Sequence, residues 1–318
     1  MTKIYAGVDL GGTSMIAVIA DPRGKVLGST DCETDRSLKP SELIDQIADL
    51  VFKAAKDADI KPSKIDALGI GAPGAVDPKE GVVVKAPNLG WTDVPLASKL
   101  KKRVGCDVAV GNDVQVAIVG EHAFGVARGP SRVVGIWVGT GIGGGLIIDG
   151  KLSRGARGAA GEIGHTVLKE DGPECGCGRR GCVEALASRT AMERDVRAQG
   201  NKSLVMQIMK EKNKARMTSS VIKKALDAGD PVLIDVITKA EHYIGLLAGN
   251  LVNTLDPEMV VIGGGVAQRL KDEFVAAIRE VARSRFLRPD PDGEVRIEAA
   301  TLGDYSGALG SVALARDM

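Results

Sequence analysis

The sequence predicts a two-domain α/β protein, and three observations carry that reading. The 318-residue chain exceeds the roughly 250 to 300 residues at which one hydrophobic core stops growing. A pattern of apolar strand, glycine-rich turn, second strand and further turn opens the chain in IYAGVDLGGTSMIAVIADPRG and restarts at Arg132 in RVVGIWVGTGIGGGLIIDGKL. Two domains built on one plan follow from that duplication. After each copy, runs with helical periodicity alternate with short apolar strands, the pattern of layered α/β folds. Such a division leaves room for a cleft between the domains.

The first copy reads as an antiparallel meander of three strands, turning at Gly11-Gly12 and at Pro22-Arg-Gly24. An amphipathic helix over 41–57 follows, with Leu43, Ile44, Ile47, Leu50 and Val51 on one face. DALGIGAPG is a buried strand, 95–104 a helix, CDVAV a strand, and another helix starts near Asn112. The second copy is interrupted by a cysteine-rich loop and continues through helices at 188–199, 219–228 and 231–254. It resumes with the strand EMVVIGGG, a helix at 267–286, the strand VRIEAATLG and a last helix, SGALGSVALARD. The charged stretch KEKNKARMTSS reads as a solvated loop.

Composition excludes several function classes. Basic and acidic side chains number 42 and 41, for a net charge of +1, so neither nucleic acid nor an anionic membrane is an expected partner. The opening MTKIYAGVDLGG lacks the basic and apolar regions of a signal peptide, and no apolar run is long enough to span a bilayer. A cytoplasmic location is expected. Five cysteines, an odd number, make a disulfide framework a poor reading in a reducing compartment.

Glycine is the unusual count, at 41, and it gathers in loops. Two formal motif matches fail on context. Gly139, Gly141 and Gly144 satisfy G-x-G-x-x-G, but the run after them ends in a turn instead of opening a helix. Gly145 to Lys151 approaches a Walker pattern, yet Leu152 stands where a magnesium-binding hydroxyl is needed. Three loops taken together make a better case: Asp9-Leu-Gly11-Gly12-Thr13, Gly139-Thr140-Gly141 within VGTGIGGG, and Gly263-Gly264-Gly265. Each ends an apolar strand, where glycine lets backbone N–H groups approach phosphate oxygens.

ECGCGRRGCVE, residues 174–184, concentrates the thiols. With His165 it gives H-x9-C-x-C-x4-C, one imidazole and three thiols in His165, Cys175, Cys177 and Cys182. Four such ligands suit tetrahedral zinc with no open position, a structural site. Arg179 and Arg180 offset the negative charge of three thiolates. His165 follows Glu162 by three residues and Cys182 precedes Glu184 by two, so closing the site brings both glutamates to one wall of the cleft.

On these three glycine loops the chain resembles the ROK sugar kinases, glucokinase type, of the actin-like ATPase superfamily, over essentially its whole length. The resemblance implies the actin-like (ribonuclease H-like) ATPase fold with an interdomain cleft and a zinc-stabilised loop. Domains are expected at 1–113, with a C-terminal helix at 304–318 packing back on it, and at 114–303, with the zinc loop at 165–184. It also implies ATP as phosphate donor, with Asp9 holding magnesium through water, DLGGT and VGTGIGGG on the phosphates, and VIGGG on the adenosine side. Sugar contacts map onto Asn88, Asn112, Asp113, Glu162, His165 and Glu184. A homodimer or homotetramer is implied too.

Phosphoryl transfer to a sugar hydroxyl needs a group that accepts the hydroxyl proton. Asn112 is a natural N-cap and Asp113 lies in the first helical turn, where the helix dipole keeps it ionised. Such a residue can be a plain helix-start acid; the resemblance makes Asp113 the catalytic base. The expected reaction is ATP-dependent phosphorylation of a hexose, glucose first, at its primary hydroxyl. N-acetylmannosamine, N-acetylglucosamine and fructose are the alternative substrates, and the residues leave polyphosphate or ADP open as donors. A sugar-sensing regulator is a second class of function, but those carry a helix-turn-helix domain ahead of the first loop, and eight residues precede Asp9 here. A zinc-stabilised sugar-binding protein without activity is a third, against which stand the three loops and Asp113.

Overall fold

A computed structural model of the protein describes residues 2–318. Its elements are, in chain order, β1 Tyr5–Leu10, β2 Ser14–Ala20, β3 Val26–Glu33, α1 Pro40–Asp57, β4 Ala67–Ala72, β5 Ala75–Asp77, β6 Val82–Ala86, β7 Trp91–Val94, α2 Leu96–Val104, β8 Asp107–Asn112 and α3 Asp113–Phe124. There follow β9 Val133–Val138, β10 Ile142–Ile148, β11 Lys151–Leu152, α4 Val183–Ala187, α5 Arg189–Ala198, α6 Leu204–Glu211, α7 Ser219–Asp227, α8 Pro231–Leu255, β12 Met259–Gly263, α9 Gly264–Arg283, β13 Arg296–Ala299 and α10 Ser306–Arg316.

The duplication seen in the sequence is a duplication of topology. One sheet has the order β3-β2-β1-β4-β8 and the other β11-β10-β9-β12-β13. In the first, β1 pairs antiparallel with β2 and parallel with β4, which is parallel to β8. In the second, β12 is parallel to both β9 and β13, and β10 pairs antiparallel with β11. In both, the antiparallel hairpin follows from a tight glycine-containing turn, and the parallel strands from helical crossovers.

Two compact units result. One comprises the described residues up to Pro130 with Gly145–Ala160 and Thr301–Met318; the other comprises Ser131–Gly144 and Gly161–Ala300. In the first unit, α1 lays Leu43, Ile44, Ile47, Leu50 and Val51 on one face of the sheet, against Val8, Leu10, Leu68 and Ile70. These side chains are fully or almost fully buried, at a gain of about 1.5–3 kcal/mol each. The opposite face is covered by α10 through Ala308, Leu309, Val312 and Ala315. Its small residues permit close approach: a Cβ at Gly69 of β4 would stand 1.9 Å from the Ser311 carbonyl oxygen. The Ser311 hydroxyl donates to the Val8 carbonyl at 2.8 Å.

Glu121 of α3 is fully buried and ties this layer together. Its two oxygens accept from the N–H groups of Val126, Thr301 and Leu302 and the hydroxyls of Thr301 and Ser306, at 2.9 to 3.2 Å. In the second unit, α8 packs along α9, and α4 and α5 pack on α8. Asp230 caps α8 from full burial, accepting from Val232 N–H and Leu233 N–H at 3.0 and 3.2 Å and from the Ser203 hydroxyl at 2.6 Å.

Three details depart from the sequence reading. Residues 75–94 form a third sheet, β5-β6-β7, hidden because its strands are short and carry many exposed residues. Helix α9 begins at Gly264, before the expected 267, and breaks its regular geometry at Lys271, where φ is 59°. The expected loop KEKNKARMTSS begins inside α6, ends inside α7, and buries Met217. Among the described residues, no helix is long and apolar enough to cross a membrane.

Candidate active site

In the first unit, Asp9 stands at the end of β1 and Asp113 is the first residue of α3. Burial, and then the charge of Asp113, push the Asp9 carboxyl up to about 7. A carboxyl that burial and a neighbouring carboxylate make costly to ionise is a natural place for a cation. Asn112 caps α3: its Oδ1 accepts from Val114 N–H and Gln115 N–H at 3.1 Å each, and its Nδ2 donates to the Gly74 carbonyl at 3.1 Å. Both ends of that amide are thus held by backbone, which fixes the strand-to-helix junction that presents Asp113. Val114 N–H also donates to Asp113 Oδ1 at 2.9 Å. The turn after β1 is closed by Gly11 N–H donating to the Ser14 carbonyl at 2.9 Å, and Thr13 is exposed. Gly12 abuts Asn88, which lies exposed in a short 3-10 turn, Pro87–Leu89.

In the second unit, Gly139, Thr140 and Gly141 connect β9 to β10. The first turn of α5 grips this connection: Arg189 N–H donates to the Gly139 carbonyl at 3.0 Å, and the Thr190 hydroxyl to the Thr140 carbonyl at 2.8 Å. Gly263 is the N-cap of α9, and Gly264 and Gly265 are its first residues. Glycine there frees the N–H groups of a helix start for an anion.

His165, Cys175, Cys177 and Cys182 bring one ligand atom each to within 4.8 Å of one another. The Cys177 and Cys182 sulfurs are 3.7 Å apart, and the Cys175 sulfur is 3.6 Å from His165 Nδ1. Zn–S and Zn–N bonds in a tetrahedron give edges of about 3.6 to 3.8 Å, so both spacings fit a four-ligand zinc site, and the cysteines are all free thiols. Burial pushes the Cys175 thiol up to about 12. By contrast the backbone N–H and then the guanidinium of Arg179 bring Cys177 down to about 6. With Nδ1 turned to the sulfurs, Nε2 of His165 is left for another partner.

Glu184 adjoins this cluster at the start of α4. The Cys175 thiol donates to its Oε1 across 3.7 Å, and Ile142 N–H donates to its Oε2 at 3.0 Å. Glu162 is the N-cap of the 3-10 turn Ile163–His165 and is exposed. The structure therefore brings Glu184 together with both the thiol cluster and the Gly139–Gly141 connection, a link that sequence spacing did not reveal. Arg189 was also passed over. Its guanidinium donates to the Thr140 hydroxyl at 2.6 Å, and its only signal in the sequence is a basic residue just after Ser188, itself a good N-cap.

A glucokinase of Halalkalibacterium halodurans is 34% identical over 96% of this chain and 93% of its own. A xylose repressor of Caldicellulosiruptor bescii is 32% identical over 97% of this chain and 77% of its own. Among solved structures, a ROK family glucokinase from Streptomyces griseus in complex with glucose and AMPPNP superposes with a TM-score of 0.87 at 33% identity, over 99% of this chain and 100% of that one. Residues 5–318 match the ROK family as a whole. That match runs through both copies of the doubled topology and through the cluster of one histidine with three cysteines: the chain belongs to the ROK family.

Proposed function

We propose that this protein is a hexokinase-type phosphotransferase that moves the γ-phosphoryl group of ATP to the primary hydroxyl of a hexose, glucose first. The observation that carries the reading is the likeness, over 99% of the chain, to a glucokinase bound to glucose and AMPPNP. Supporting it, Asp9 before the first glycine turn and Asp113, whose charge acts on it, meet the two needs of the reaction, a cation site and a proton acceptor.

Asp113 accepts the proton of the attacking hydroxyl. Its place at the start of α3, fixed by Asn112, favours the ionised form, a weak base adequate for a loose transition state in which little proton transfer precedes phosphoryl transfer. Asn88, Asn112, Glu162, His165 and Glu184 hold the ring hydroxyls, each of which both donates and accepts. Gly11, Gly12 and Thr13 with Gly139, Thr140 and Gly141 hold phosphate oxygens, and Gly263, Gly264 and Gly265 the adenosine side. Asp9 would hold magnesium through water; bound there, the ion neutralises charge on the phosphates. Zinc in the His165, Cys175, Cys177, Cys182 site would be structural, fixing the loop that carries Glu184 and leaving His165 Nε2 to a sugar hydroxyl.

The test is a coupled assay of ATP-dependent phosphorylation across glucose, mannose, fructose, N-acetylglucosamine and N-acetylmannosamine. Highest kcat/KM with glucose supports the reading. No turnover with any hexose, with sugar still bound, would favour the regulator class, to which the likeness to a xylose repressor points. A cytoplasmic homodimer completes the proposal.

A further inference from the structure

Arg189 is a half-buried cation with no carboxylate of its own. Among the described residues it forms no salt bridge, and its guanidinium donates to two hydroxyls, Thr140 Oγ1 at 2.6 Å and Ser219 Oγ at 3.5 Å. The acidic group whose charge acts on it is Glu193, and that carboxylate is already committed. It accepts from Arg197 Nε at 2.8 Å and from Met217 N–H at 2.9 Å, and pairs with Arg216 at 3.5 Å. Positive charge therefore exceeds negative charge here, and burial followed by the charge of Arg216 pulls Arg189 below the usual guanidinium range. An incompletely paired, half-buried charge is costly to hold. Proteins keep such a group where an anion arrives to complete it.

The position of the guanidinium says which anion. Thr140 is the middle residue of the connection from β9 to β10, and Ser219 lies beside the start of α9, its hydroxyl 3.3 Å from where a Cβ on Gly265 would stand. Arg189 thus bridges two of the three glycine turns. Resting on the kinase reading above, we infer that Arg189 is a donor-positioning residue, whose guanidinium binds the phosphoanhydride chain of the nucleotide between the Thr140 and Gly265 turns. A planar fork with five N–H groups, two of them already aimed by Thr140 and Ser219, suits bidentate contact with phosphate oxygens.

Calorimetric titration of MgADP, adenosine and glucose into wild type, Arg189→Ala and Arg189→Lys tests this. Arg189→Ala should weaken MgADP by about 10- to 100-fold, the range of one charge-assisted hydrogen bond, and leave adenosine and glucose within about twofold. Arg189→Lys should recover part of the loss, since it restores a point charge without the fork. Unchanged MgADP affinity in Arg189→Ala overturns the inference, and so does an equal loss for adenosine and MgADP, which would make Arg189 a brace for the turns. If Arg189→Ala shows no cooperative melting, Arg189→Lys decides: MgADP weakened with adenosine kept supports the inference, and wild-type affinity sinks it. Failure of wild type itself to bind MgADP or adenosine would overturn the nucleotide reading, and this inference with it.

Discussion

Glu184 Oε2 accepts the Ile142 N–H at 3.0 Å, so one carboxylate touches the glycine turn of β10 while standing two residues after Cys182 of the thiol cluster. A Cβ on Gly141 would fall 2.2 Å from that same oxygen. In the sequence, 42 positions separate Ile142 at the turn from Glu184 beside the cluster. The structure couples them. Gly141→Ala should therefore raise KM for glucose as well as for ATP, each by about tenfold, the worth of one displaced hydrogen bond. Steady-state kinetics varying one substrate at a time will show it; a rise confined to ATP would mean Glu184 does not touch sugar.

Asp113→Asn keeps the shape of the helix start and loses the proton acceptor. Turnover should fall by about 10²- to 10⁴-fold with glucose binding retained. A variant keeping more than half of wild-type kcat would remove Asp113 from the chemistry.

Cys182 is fully buried and Cys177 exposed, so substitutions at the two report differently. Cys177→Ser should bind glucose poorly while remaining folded, with weaker ATP binding as a smaller effect passed through Glu184 and Ile142. Cys182→Ser should lower Tm as well. Metal analysis of wild type should give about one zinc per chain, as a single four-ligand site requires. Unchanged glucose affinity in a folded, zinc-free Cys177→Ser protein would reduce the cluster to a remote staple.

Burial opposes ionisation of Asp230, but the Ser203 hydroxyl and the N–H groups of Leu233 and Val205 outweigh it and hold the carboxyl below the usual range. A depressed carboxyl adds stability that is complete above its unfolded pKa of about 4 and is lost as pH falls through the folded value. Asp230→Asn should cost about 1–3 kcal/mol near neutrality and flatten the decline of Tm below about pH 4. Parallel Tm curves for the two proteins across that range would contradict this.

Glu121→Gln replaces one acceptor oxygen with a donor among five donors. At least one of those bonds must fail, because a backbone N–H, unlike the Ser306 hydroxyl, cannot turn to accept, at a cost of about 1–3 kcal/mol, read as a lowered urea midpoint with m unchanged.

Much of this was legible because it is written locally. Alternating apolar runs around glycine turns gave β1, β2, β9 and β10, and the Asn112 cap is a property of one side chain and the next two N–H groups. The thiol cluster was legible from spacing because zinc geometry restricts which residues can meet. Long-range relations were not: Glu184 with Ile142, Glu121 with Thr301, and Arg189 with Thr140 and Ser219 join residues whose intervals carry no period. The β5-β6-β7 sheet escaped for a different reason, since its short strands bury too few residues to print an alternation.

The bond from Ser311 to Val8 joins residues 303 positions apart, and α10 packs across β1, β2, β4 and β8 of the first sheet. At roughly 5–20 residues per second, synthesis takes about 15 to 60 s to cover that interval. Throughout it the newborn chain carries the face formed by Val18 and Ala20 without its lid. Closure of the first unit is thus a late event, which waits until α10 has been made.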